Sequence, residues 1–148
     1  MNSRPLSYHD FVKIYSKVPR LNVEVVLITN SGVVLTKRSI EPCVGQWHIP
    51  GGTIYFGEAP EDAVLRVAKE EIGVEVEVVR LIDVVTYPEI HEDGYFGWPI
   101  GLAYEVRLKG GELRGSEQGE EVKIFNKLPD NTIPDQVNFF KKNLPNLF

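Results

Sequence analysis

The sequence predicts an α/β fold of the α+β kind, with a mixed β-sheet layered between helices as an α/β/α sandwich. Three observations predict it. Short stretches alternate apolar and polar residues with the period of a strand, two or three segments carry the period of an amphipathic helix, and glycine and proline clusters separate them. The 148 residues suit a single domain, 1–148, with one core.

The elements follow in order. Residues 7-SYHDFVKIYSK-17 predict a short helix, with Phe11, Ile14 and Tyr15 on one face, Ser7 as its cap and Pro19 beyond its end. The run 21-LNVEVVLIT-29 reads as a strand, and the turn 30-NSG-32 joins it to 33-VVLTKR-38 as a hairpin. Residues 39–50 hold Pro42, Gly45 and Pro50 and predict a loop with at most a short strand around Trp47 to Ile49. A helix is predicted from about Pro60 to Ile72. Proline suits a first helical position, Glu61 and Asp62 suit the positive end of the helix dipole, and Gly73 ends the helix. Residues 74–87 read as a strand, 88–99 as a long loop and 100–109 as a strand. Gly110-Gly111 reads as a turn, 120–126 as a further strand and 135–144 as a last helix.

Composition bounds the function. Apolar residues make up 43% and charged residues 25%, an ordinary soluble composition. The net charge of −5 disfavours stable nucleic acid binding, and an acidic protein that handles phosphates needs a bridging cation. The longest uncharged apolar run is far too short to span a membrane, and the N-terminus is polar. The single cysteine, Cys43, allows no intramolecular disulfide and fits a cytoplasmic location; it reads as a core filler.

Residues 60–72, placed on a wheel at ~100° per residue, put Ala63, Val64, Val67 and Ala68 on one arc. Glu71 falls within that arc, and Arg66 and Glu70 lie along its edge. A carboxylate facing an apolar layer is costly unless it is paired or bound to a cation. Two readings stand at this point: a solvated end of an amphipathic helix, or a divalent-cation site of oxygen ligands. The preceding Gly51-Gly52 favours the second, because glycine lets the backbone come close to a ligand.

The span 51-GGTIYFGEAPEDAVLRVAKEEIGV-74 resembles the signature of the Nudix hydrolases. Gly52 is followed five residues later by Glu58; seven more residues lead to Arg66, and Glu70, Glu71, Gly73 and Val74 stand in their slots. The resemblance runs from about Val23 to Pro129, and it implies a hydrolase of nucleoside diphosphates linked to another group. By this resemblance Glu70, Glu71 and the Gly51 carbonyl hold Mg²⁺ or Mn²⁺, Glu58 supports the site, and Arg66 orients the carboxylates. Val67 departs from the pattern, since the family carries there a glutamate that ligates metal and in some members acts as general base.

Two regions are candidates to compensate. In 116-SEQGEE-121, Glu117 or Gln118 matches a place from which other members bring a ligand to the metal; an exposed turn is the alternative. The segment 88–99 offers the titratable His91, Glu92 and Asp93, with Glu92 as a candidate base, and the aromatics Tyr95, Phe96 and Trp98 to stack on or cover a substrate. Arg38, at a strand end, is placed to touch substrate phosphate or Glu70, and Trp47 to pack under the glycine-acid segment. His9 and His48 read as structural. The expected substrate is a small nucleotide, ADP-ribose or a nucleotide sugar, and family members often form homodimers. Two alternatives remain open: a GDP-mannose-type glycosyl hydrolase that attacks the sugar carbon, and a non-catalytic Nudix-like nucleotide-binding or regulatory domain.

Overall fold

Side-chain parity along the first strand sorts the two faces of the sheet. In β1 (Arg20–Thr29), Val23, Val25 and Leu27 point to one face, while Asn22, Glu24 and Val26 point to the other. The computed structural model, which describes residues 5–117 and 119–148, builds both layers on this alternation. On the first face, α2 (Pro60–Ile72) buries Ala63, Val64, Val67, Ala68 and Ile72 against Val23, Val25, Leu27 and Val34. On the second face, α4 (Pro134–Asn143) buries Phe139 and Phe140 against Val26, Val33, Leu35 and Val85. Helices on both faces of one sheet make the α/β/α sandwich.

The sheet is mixed and seven-stranded among the described residues. Its main order is β3 (Trp47–His48), β2 (Gly32–Lys37), β1, β6 (Pro99–Gly111), β5 (Val74–Thr86). β4 (Gly51–Thr53) pairs with the start of β1, and β7 (Glu121–Phe125) pairs with β2. β1 and β6 are parallel; the other pairings are antiparallel. The hairpin β1–β2 and the helix over 60–72 form where the sequence places them. Gly73 ends α2 in the left-handed conformation, at φ +76°, and its N–H closes on Lys69 and Ala68 carbonyls.

Four elements differ from the sequence reading. The expected loop 88–99 contains a short helix, α3 (Pro88–Glu92). The Asp135 carboxylate on α4 accepts the N–H groups of Glu89 and Ile90 at its start, a tertiary cap that local sequence does not reveal. Gly110 and Gly111 extend β6, where they pair with Glu75 and Val74 instead of turning. Trp47 packs edge-on against Phe125 in the α4 layer, so it does not lie under α2. The first helix is shorter than expected, α1 (Tyr8–Tyr15), with Ser7 accepting the Asp10 N–H as its cap. Among the described residues no helix is long and apolar enough to cross a membrane.

Candidate active site

The Arg66 guanidinium organises the start of the site. Its Nε and Nη2 donate to both Glu58 carboxylate oxygens at 2.8 Å, a bidentate pair. Nη2 also donates to the Thr53 carbonyl at 2.8 Å, and Nη1 to Glu70 at 3.2 Å. The guanidinium lies 3.7 Å from the centre of the Tyr55 ring, and the Tyr55 N–H donates to Glu58. One side chain thus ties β4, the loop before α2 and the last turns of α2 together. The hydrogen bond from Arg66 holds the Glu58 carboxyl below its ordinary range.

One turn on, Glu71 lies half-buried. Burial pushes its carboxyl up, the Ser116 hydroxyl pulls it down, and neighbouring Glu70 pushes it up again. The Ser116 hydroxyl donates to Glu71 Oε2 at 2.8 Å. The irregular segment after β6 is brought there by the Arg114 N–H, which donates to the Ile72 carbonyl at the end of α2. Glu70, Glu71, Arg114, Ser116 and Glu117 together line an open depression of about 380 Å³. A smaller depression, about 180 Å³, lies between the β1–β2 turn and the C-terminal segment, and no titratable side chain lines it.

The donors around the larger depression are hard carboxylate oxygens, the type that Mg²⁺ and Mn²⁺ favour. Two of them are adjacent like charges, and a divalent ion would relieve both that repulsion and the burial of Glu71. Among the described residues no three His, Cys, Asp or Glu side chains lie together as a metal-holding group, so the acids at the depression are at most two close protein carboxylates. An open set of this kind leaves coordination positions for substrate oxygens and water. Gln118 lies outside the described residues.

Val67, in the slot where the resemblance expects an acid, is 1% exposed within the α2 core cluster. It packs directly on Gly52, where an added Cβ would meet its Cγ2 at 3.0 Å. The second glycine of the pair therefore serves helix–strand packing here. Gly51 makes room for a different residue: a Cβ there would meet Glu24 Oε2 at 2.2 Å.

The other predicted residues fall on the opposite layer or its rim. Arg38 is occupied by loop carbonyls, donating to those of Pro42 and Glu41, and makes no hydrogen bond to Glu70. It still favours the charged forms of both Glu71 and Glu24 from within electrostatic range. The Tyr95 hydroxyl accepts from Arg20 Nη2 at 3.1 Å, and its ring stacks obliquely with Phe96. Exposed Trp98 meets the His91 ring edge-on. Glu92 is exposed at the end of α3, on the α4 side of the sheet, and does not line the depression. His48 Nε2 is hydrogen-bonded to the Thr36 hydroxyl at 3.0 Å across β2 and β3, and burial holds its imidazole down to about 3, so it stays neutral.

Sequence reasoning missed Ser116, Arg114 and a buried chain of polar groups that ends at Glu24. In that chain the Ile49 N–H donates to Gln136 Oε1 at 2.7 Å, and Gln136 Nε2 donates to the Tyr87 hydroxyl at 2.9 Å. The Tyr87 hydroxyl donates to Glu24 Oε1 at 2.7 Å. Burial raises the Glu24 carboxyl to about 7, against the opposing pull of Tyr87, Arg20 and Arg38. A carboxylate inside an otherwise apolar strand was the available signal; its partners come from β5 and α4 and carry no local mark.

Two outcomes follow. Arg66→Lys supplies one point charge where a fork met two oxygens, and it should lower unfolding free energy by about 1–3 kcal/mol in urea titrations. Glu24 keeps its proton to about 7 when folded but only to 4.5 in the unfolded chain. Between those values the folded state binds the extra proton, so this group's contribution to stability falls as pH rises from about 4.5 to about 7. Glu24→Gln should abolish that slope. In metal-free buffer the variant's stability relative to wild type should improve between pH 5 and pH 8 by roughly 3 kcal/mol. Parallel stability curves for the two proteins would refute it.

Comparison with known proteins agrees with this geometry. The family model described as NUDIX domain matches residues 18–142. The chain is 33% identical over 119 residues to the Low-salt glycan biosynthesis protein Agl8 of Haloferax volcanii, covering 76% of this chain and 74% of that protein. It is 31% identical over 113 residues to an ADP-ribose pyrophosphatase of Methanocaldococcus jannaschii, covering 75% of this chain and 65% of that protein. Among solved structures, a MutT NUDIX hydrolase from Burkholderia pseudomallei superposes with a TM-score of 0.76 at 25% identity, over 86% of this chain and 98% of that one. The glycine-acid segment, the Arg66 hub and the sandwich around them thus place this chain in the Nudix family of hydrolases.

Proposed function

We propose that this chain is a divalent-cation-dependent hydrolase of small nucleoside diphosphate derivatives, which splits the pyrophosphate of ADP-ribose or a nucleotide sugar. The observation that carries the reading is the single depression shared by Glu70, Glu71 and Glu117, with Arg66 bridging Glu70 to Glu58 at its margin. A scaffold-only role leaves the half-buried, like-charged Glu71 without a purpose. The names of two relatives, an ADP-ribose pyrophosphatase and a glycan biosynthesis protein, support the two substrate classes. The net charge of −5 suits a free nucleotide held through a cation better than a nucleic acid strand. The one cysteine, free Cys43, suits a reducing compartment such as the cytoplasm.

Glu70, Glu71 and Glu117, with the Gly51 carbonyl, would hold Mg²⁺ or Mn²⁺. When bound, the ion offsets the charge of the diphosphate, polarises a phosphoryl oxygen and makes a water more acidic. The chain's own residues do the rest. Ser116 fixes Glu71 Oε2, and Arg66 fixes Glu70 through its third nitrogen. Arg38, anchored by the 39–46 loop, faces the diphosphate as a fixed positive charge. Tyr95 and Trp98 offer ring faces for the base at the rim. We assign no proton transfer to Glu92, given its place at the end of α3. With Val67 contributing no acid, attack on the sugar carbon is the second reading. Turnover in ¹⁸O-water separates the two: label in the phosphate product means attack on phosphorus, and label in the sugar means attack on carbon.

Turnover of ADP-ribose and nucleotide sugars with Mg²⁺, read by mass, should fall at least roughly 100-fold in Glu71→Gln while the melting temperature holds. Full activity in that variant removes the assignment. Val67→Glu places an acid against Gly52 in a dry layer. It should cost on the order of 3 kcal/mol in EDTA, and Mn²⁺ should restore part of the loss. A deficit that Mn²⁺ leaves unchanged would place the ion elsewhere.

A further inference from the structure

Glu24 is placed where no packing argument requires an acid. It is 4% exposed, on the sheet face opposite α2. Gly51 of β4 stands opposite it, and on β6, where Ala103 is its register partner, Gly101 lies diagonally against its side chain. A Cβ at Gly51 would meet its Oε2 at 2.2 Å, and a Cβ at Gly101 would meet its Oε1 at 2.5 Å. Both neighbouring strands thus give up a side chain to accommodate one carboxylate. Oε1 is held by Tyr87, which Gln136 holds in turn. Oε2 has no hydrogen-bond partner among the described residues. It also keeps contact with solvent, since the one dry and unpartnered side-chain polar atom among those residues is Arg20 Nε. A carboxylate oriented through one oxygen, with the other left open, is set up to accept a hydrogen bond from something outside the chain.

Its neighbours say what that is. Glu24 lies opposite Gly51 and packs against it, and the Gly51 carbonyl is one of the oxygens proposed to hold the cation; Arg38 favours the charged forms of both Glu24 and Glu71. A diphosphate held at Glu70 and Glu71 and met by Arg38 would bring the group attached to it towards Glu24. An acid repels phosphate oxygens, so the part of the substrate it takes is a neutral donor. We infer that Glu24 is a specificity-determining residue, whose open carboxylate oxygen accepts a hydroxyl of a sugar attached to the diphosphate. This rests on the proposed nucleoside diphosphate reading and deepens it, because a nucleoside triphosphate has no second sugar and a linked sugar offers several hydroxyls. The glycines at 51 and 101 keep the oxygen accessible, and the Gln136–Tyr87 chain aims it.

The test is binding by calorimetry at pH 8 with Mg²⁺. It compares wild type with Glu24→Gln, using three non-hydrolysable ligands: α,β-methylene ADP-ribose, α,β-methylene ADP, and the 2′,3′-dideoxy form of the latter. Glu24→Gln should weaken α,β-methylene ADP-ribose about tenfold, the loss of one charge-assisted hydrogen bond, and leave the dideoxy ligand within twofold. If α,β-methylene ADP does not share the tenfold loss, the hydroxyl is the terminal sugar's; if it does, the hydroxyl is the nucleoside ribose's, which a triphosphate also carries, and the inference of selection by a linked sugar is overturned. An equal loss on all three ligands, or a loss on none, overturns the inference, since a role only in positioning Gly51 would act without regard to hydroxyls. Failure of wild type to bind any of the three overturns the nucleoside diphosphate reading itself, and is told apart because the variant plays no part in it.

Discussion

The Arg66 fork on Glu58 is the contact on which the rest of the site depends. It is made across eight residues of sequence, from the second turn of α2 back to the loop before it. Through the Thr53 carbonyl it also fixes the end of β4, and through Glu70 it fixes the direction of the first acid at the depression. A bidentate pair with a third and fourth hydrogen bond, stacked on Tyr55, leaves the guanidinium little freedom. Isolated surface ion pairs contribute little. This one differs because it is half-buried and because the same guanidinium fixes the Glu58 carboxylate, the Thr53 carbonyl and Glu70 together.

From that anchor the site divides between the two faces of the sheet. The α2 face carries the acids Glu70 and Glu71, joined by Glu117 and steadied by Ser116. The α4 face carries Glu24, Tyr87 and Gln136 in a buried hydrogen-bonded chain that ends on the Ile49 N–H. The segment 49–53 runs between them, paired with β1 and touched from both sides. Its two glycines answer to opposite layers, Gly51 to Glu24 and Gly52 to Val67. Arg38 is the charge within reach of both acids.

Val67 gains its meaning from this packing. Buried among Ala63, Val64 and Ala68 and pressed on Gly52, it contributes apolar contact in the slot where the resemblance to the signature implies an acid. The centre of the site is therefore drier and less negative than the signature implies. The remaining acids stand at its margins, where water and substrate oxygens can reach them.

The sequence by itself determined the sandwich, the hairpin, the extent of α2 and its glycine stop, because period, proline and glycine act over a few residues. Helical spacing also set Arg66, Glu70 and Glu71 along one margin of α2, and the resemblance to the Nudix signature added Glu58 to them. Tertiary structure alone decided that Ser116 and Arg114 join them, that α3 forms under the Asp135 cap, and that Trp47 packs on the α4 layer. It alone decided that Glu24 meets Tyr87 and Gln136, partners 63 residues distant in the first case and a further 49 in the second. Contacts at such separations leave no period in a chain. They are fixed by which strands pair and which helices lie over them, so an acid in β1 shows its role only once β4, β6 and α4 have closed around it.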